Sequence, residues 1–148
     1  MLIPLDKLVN EFNLSITGIF HIGMHRAEEL PMYNKIGIDS NKVFWVEAMQ
    51  DLVDEMKQKN IPNVYQGVIN NVDNEEITFN ITNNRQSSSI LEFGSHAIHH
   101  PQVKVVKQVK LMTTRLDTLI EKENIPIQCI NFLNFDIQGV ELNALKSM

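Results

Sequence analysis

Apolar and polar positions follow two different rhythms along this chain. In the first half, short unbroken apolar runs alternate with stretches of helical spacing. Leu5, Leu8, Val9 and Phe12 recur at the helical interval and predict a short opening helix. Residues 17–22 (TGIFHI) predict a buried strand, and Gly23 ends it. Residues 26–36 are expected to be helical, with Pro31 in the first turn or at a kink. Asn41 marks a turn, and residues 42–46 (KVFWV) read as a second apolar strand. Met49, Leu52, Val53 and Met56 share one face of a further helix, which residues 60–62 close, and residues 64–69 read as a third strand. This spacing suits parallel crossover units, and near-continuous apolar strands suit a sheet covered on both faces.

Beyond that point the rhythm changes. Ile77, Phe79 and Ile81 alternate with polar residues, as do Val103, Val105, Val109 and Leu111, which predicts two half-exposed strands around a polar loop (NNRQSSS). The pattern is compatible with an antiparallel flap and equally with an extension of the sheet edge. Leu116, Leu119 and Ile120 mark a short helix ending near Asn124. Residues 130–137 (INFLNFDI) read as another buried strand, and Gly139 onward begins another helix. No repeat, low-complexity tract or linker interrupts the sequence. The expected architecture is one α/β domain over residues 1–148, a Rossmann-like, doubly wound and mostly parallel sheet.

Composition removes several function classes. With 43% hydrophobic and 21% charged residues, the chain is ordinary for a globular domain and too apolar for a disordered one. The net charge is -5 and the basic residues are scattered, so there is no electrostatic footprint for nucleic acid. No apolar stretch reaches membrane-spanning length and the N-terminus lacks a secretory pattern, so a cytoplasmic protein is expected. The one cysteine, Cys129, lies in an apolar run and is expected to be a buried, inert thiol.

In an open parallel sheet, ligands bind outside the carboxyl ends of the strands. The informative residues are therefore those just after the buried runs. After the first comes HIGMHRAE, where Gly23 permits a tight turn and the amides at the next helix start suit an anion. A dinucleotide loop (G-x-G-x-x-G) would place glycines where His25 and Glu28 stand, and no phosphate-binding G-x-x-x-x-G-K-[ST] occurs. Glu47 follows the second strand, where a carboxylate can accept hydrogen bonds from both hydroxyls of a ribose. This combination describes S-adenosylmethionine as well as it describes NAD, while the alternative for Glu47 is a solvated acid at a strand end. Asp136 closes the last apolar strand, where a carboxylate needs the cleft or a partner. Glu141 falls in the first turn of the next helix, where complementing the helix dipole suffices to explain it. Met24, Phe44 and Trp45 read as core.

Five segments bring these features together in order: HIGMHRAEELPMYNKIG, VFWVEAM, SSSILEFGSHAIHHP, TTRLDTLI and FLNFDIQGVELNALKSM. From about Gly18 to the last residue the chain resembles the FkbM family of methyltransferases. The resemblance implies a class I methyltransferase fold with S-adenosylmethionine in the cleft above the first strands. It implies that Gly23 and His25 line the methionine part, that Glu47 holds the ribose, and that Ser88 and Ser89 belong to the family's serine stretch. It places Asp136 in the late acidic motif, and it implies a hydroxyl group on a small molecule or sugar as methyl acceptor. Three departures stand out. The family often carries a proline soon after the ribose acid, where this chain reads Ala48-Met49-Gln50; Gln138 stands where Glu is also common; and further strands are expected past Met148.

Methyl transfer is an in-line displacement that rests on positioning, and a hydroxyl acceptor also needs a base. Asp136 and His96 are expected to fill that role, with His99 and His100 read as polar loop residues before Pro101. The H-x-x-H-H spacing is no dependable ligand set, so no metal is expected. Two other readings compete. A non-catalytic interaction module would keep only part of the fold, and the strand ending at Asp136 would then be an apolar edge prone to self-association. An NAD-dependent oxidoreductase fits Glu47 but not His25 and Glu28 in the glycine positions.

Overall fold

A computed structural model describes residues 3–91 and 102–148. The chain forms two compact units, Met1–Gln66 with Asn124–Phe135, and Gly67–Glu123 with Asp136–Met148. In chain order the described elements are α1 (Leu5–Phe12), β1 (Ile19–Ile22), α2 (Leu30–Lys35), β2 (Val43–Glu47), α3 (Gln50–Gln58), β3 (Val64–Gln66), β4 (Val68–Ile69), β5 (Glu76–Thr82), β6 (Val105–Thr114), α4 (Leu116–Lys122), β7 (Phe132–Phe135) and α5 (Glu141–Leu145).

The first unit holds a four-stranded sheet in the order β3-β2-β1-β7, parallel throughout. β1 and β2 are buried along their whole length, which is why their sequences are apolar apart from His21 and Glu47. Ile19, Val43, Trp45, Val53, Met56, Val64 and Tyr33 pack together as the core, and Leu8 and Val9 of α1 lie against it. Phe12, assigned to the apolar face of α1 by its spacing, is instead exposed at the helix end.

Three sequence expectations shift here for local reasons. α2 begins at Leu30 rather than residue 26, because His25 and Ala27 adopt left-handed backbone conformations that no α-helix contains. Pro31 sits in the first turn, where its missing N–H costs nothing. β7 is a four-residue strand at the sheet edge, with Leu133 reaching the surface, rather than an eight-residue buried one. The residues before it form a 3-10 turn (Ile127–Cys129), and Cys129 is exposed there, not buried. Gly18 lies against this turn, its carbonyl accepting from the amides of Asn131 and Phe132 at 3.2 Å. Asn131 extends the latch by donating to the Ser15 carbonyl (2.7 Å) and accepting from the Thr17 amide (2.8 Å).

The run at residues 64–69 is two strands, not one. β3 pairs with β2, whereas β4 pairs with β6 in the second unit, and Gly67 separates them. The second unit's sheet runs β4-β6-β5. β5 and β6 are antiparallel with an irregularity at Ile81/Thr82, so the two alternating runs are a hairpin-like pair flanked by parallel β4. Asp73 fastens the end of β6 by accepting from the Arg115 amide (2.7 Å) and the Thr118 hydroxyl (2.8 Å). No described helix is long and apolar enough to cross a membrane.

Candidate active site

β1 has a parallel neighbour on each side, β2 and β7, so the strand order reverses beside it. Crevices at such switch points open at the carboxyl ends of the strands. There Gly23 takes a positive φ of 96°, which glycine adopts without steric cost. The amides of Gly23 and Met24 both donate to the Val46 carbonyl, at 2.9 and 3.0 Å. Glu47, at the end of β2, takes the next two donors. Its Oε2 accepts from the His25 amide (2.8 Å) and its Oε1 from the Met49 amide (2.9 Å). One carboxylate thus joins the loop after β1 to the loop after β2.

Two consequences follow for the expected cofactor residues. Gly23, His25 and Glu47 are brought together, but the amides from Gly23 to His25 are already bonded and do not offer the free anion site that the sequence suggests. Glu47 is only 6% exposed, so it is no solvated strand-end acid. Burial pushes its carboxyl above the usual range, while the Met49 and His25 amides pull the other way. A carboxylate has about four acceptor sites, so Glu47 keeps acceptor capacity beyond these amides.

His25 is held from both sides. Its Nδ1 lies 2.7 Å from Glu28 Oε1, while Glu28 Oε2 accepts from the Arg26 amide at 3.1 Å. A carboxylate only accepts, so Nδ1 is the donor in this contact. Nε2 is sheltered and has no partner among the described residues.

Ser88, Ser89 and Asp136 belong to the second unit. The Ser88 hydroxyl accepts from the Thr82 amide (3.2 Å), and the buried Ser89 hydroxyl donates to the Gln138 carbonyl (3.3 Å). Gln138 in turn donates from its side chain to Asp136 Oδ1 at 2.8 Å, which draws Ser89 and Asp136 into one turn. Asp136 is exposed, yet partial desolvation raises its carboxyl; the Gln138 bond opposes this and the Glu141 charge adds to it. Glu141 Oε1 accepts from the amides of Ile137 (3.2 Å) and Gly139 (3.1 Å), which precede the helix, so it braces the turn that leads into α5. His96, His99 and His100 lie outside the described residues.

A polar cluster that sequence reasoning missed lies one layer below the β1 loop. His21, fully buried, has Trp45 and Asn134 beside it on the neighbouring strands, and Tyr33 of α2 covers it. Asn134 Nδ2 donates to Tyr33 Oη at 2.7 Å, and Tyr33 Oη lies 2.9 Å from His21 Nδ1. The ring planes of His21 and Trp45 tilt together at a centroid distance of 4.9 Å. Burial pulls the His21 imidazole down to about 4, against opposing pulls from the Gly23 backbone and the Glu28 charge. Burial likewise pushes the Tyr33 phenol up to about 12, with the Asn134 bond opposing.

The buried histidine makes stability depend on acid. Its folded value lies below the unfolded one, so the unfolded chain binds the proton first and stability falls as pH drops from about 6.5 towards 4. The loss expected from this one group is about 3 kcal/mol. Glu47, whose folded value is raised, offsets part of it by taking up a proton in the folded state. Urea titrations between pH 7 and 4 are expected to show a falling midpoint that flattens in His21→Leu. An equally steep fall in that variant would assign the effect to other groups.

The same chain that builds a parallel sheet with a glycine turn after β1 and a buried acid after β2 matches a known family model. Residues 21–148 match the methyltransferase FkbM domain. Searches of curated proteins and of solved structures gave no significant match. The family match spans most of the chain and includes both the β1 loop and the Asp136 turn, so the chain belongs to the FkbM methyltransferase family.

Proposed function

We infer that the chain uses S-adenosylmethionine to methylate a hydroxyl group on a small molecule or sugar. The observation that carries this reading is Glu47, a buried carboxylate at the end of β2 that is fixed by two amides and still has acceptor sites for a ribose. Gly23 and His25 then line the methionine part of the cofactor, with Ser88 and Ser89 as further contacts. When bound, the cofactor supplies an electrophilic methyl group on a sulfonium, and its sulfur leaves as a neutral thioether. Asp136 is the proton acceptor in this reading: its raised carboxyl is a better base than an ordinary aspartate, and it takes the hydroxyl proton as the oxygen attacks. His96 is the second candidate for that proton.

Calorimetric titration with S-adenosylhomocysteine and, separately, NADH is the direct test. Binding of S-adenosylhomocysteine in the micromolar range, about 8 kcal/mol, with NADH at least tenfold weaker, is the expected result. The reverse preference would turn the reading to an oxidoreductase. A non-catalytic interaction module is the alternative reading. Concentration-dependent mass in light scattering together with no nucleoside binding would support that alternative.

A further inference from the structure

The loop after β1 carries two non-glycine residues, His25 and Ala27, at φ of 48° and 55°. Such conformations are costly and persist only where the surroundings over-determine them. Glu47 holds the middle of the loop through the His25 amide. What holds its base is the Tyr33–His21 hydrogen bond, which joins the helix after the loop to the strand before it. Asn134 sets the direction of that bond. By donating to Tyr33 Oη it leaves the phenol hydrogen to point at His21 Nδ1 as acceptor, while His21 Nε2 has no hydrogen-bond partner among the described residues. All this happens where His21 and Tyr33 are shut off from solvent.

Stability does not account for burying these polar groups, because apolar side chains of the same shape serve a core about as well. What an apolar trio lacks is direction. We propose that Asn134, Tyr33 and His21 form a staple that holds residues 23–29 in the shape that receives the cofactor, which makes Tyr33 and Asn134 positioning residues. The proposal rests on the reading of that loop as a cofactor site.

Tyr33→Phe cuts the staple while keeping the ring in place. Two readouts separate its consequences. In native-state hydrogen exchange, the amides of Gly23, Met24 and His25 are expected to exchange at least tenfold faster than in the wild type. The β1–β2 ladder amides are expected to hold their rates. In calorimetry at a temperature where melting shows the variant folded, S-adenosylhomocysteine is expected to bind at least tenfold more weakly. A uniform rise in exchange across loop and ladder would mean a general core role and overturn the staple, as would unchanged loop exchange. Unchanged affinity beside a loosened loop would overturn its role in positioning. If the wild type itself binds no S-adenosylhomocysteine, the cofactor reading is what fails, and exchange alone decides the staple. Should Tyr33→Phe not fold, Asn134→Ala is measured in the same way. It keeps the Tyr33–His21 bond but removes the group that directs it, and a threefold change confined to the loop is then expected.

Discussion

Gly18→Ala is expected to destabilise the fold by on the order of 4 kcal/mol, at the upper end of overpacking effects. The cause is position, not conformation. A Cβ at residue 18 would stand 2.3 Å from the Cys129 carbonyl oxygen and 3.3 Å from that of Lys42. Both neighbours are backbone, so neither can rotate aside as a side chain would. Relief requires moving the turn before β7, and with it the bonds from Asn131 and Phe132 to the Gly18 carbonyl. Folding free energies of small domains are about 5–15 kcal/mol, so a large share of the total is at stake. Gly37→Ala is the control, because that glycine has a φ of 87° and open space around its missing Cβ. Only the backbone preference is lost there, about 1 kcal/mol. Urea denaturation of the two variants is the measurement. Equal midpoints would show that the chain does not approach Gly18 as closely as described.

The second large effect concerns Glu47. Glu47→Ala is expected to weaken S-adenosylhomocysteine binding at least 100-fold, about 2.7 kcal/mol. Two losses add up. The ribose loses its acceptor, and the amides of His25 and Met49 lose theirs inside a nearly closed site, at about 1–3 kcal/mol for each unsatisfied group. Removing a buried charge returns part of that, since burial disfavours the ionised carboxyl. Stability therefore falls by less than the two amide losses alone. Glu47→Gln separates the two roles: its carbonyl oxygen can serve one amide, but its NH2 group faces the other donor with nothing to accept. Affinity intermediate between wild type and Ala is expected. A folded Glu47→Ala protein with wild-type affinity would reduce Glu47 to an internal brace between two loops.

The parts of the fold that could be read from the chain are those where one segment determines its own environment. Residues 17–22 and 42–46 are predominantly apolar because β1 and β2 are covered on both faces, and short, nearly continuous apolar runs suit such strands. Residues 64–69 look no different, yet the change of partner at Gly67 divides them between two sheets, and no local pattern records which strand a residue will pair with. The start of α2 is not legible in the sequence, because His25 and Ala27 adopt a conformation that residue type does not announce. Cys129 lies in an apolar run that continues into β7, yet it falls in the 3-10 turn before the strand, and its exposure there depends on the turn and not on the run.

The candidate site divides in the same way. Glu47 and Gly23 were visible because strand ends have a fixed meaning in a parallel sheet. The use of Glu47 as a clamp on the His25 amide was not visible, since it depends on a contact across 22 residues. His21 read as one more position in an apolar strand. Its partners Tyr33 and Asn134 come from a helix and from a strand at the far end of the chain, so the cluster exists only once the sheet has aligned them.

The exposed Cys129 is the chain's one thiol, and the carbonyl of the same residue is what Gly18 packs against. A maleimide dye would therefore label a single defined point without mutagenesis. That point lies where the first and last segments of the parallel sheet meet, so its emission would follow the closing of that seam during refolding.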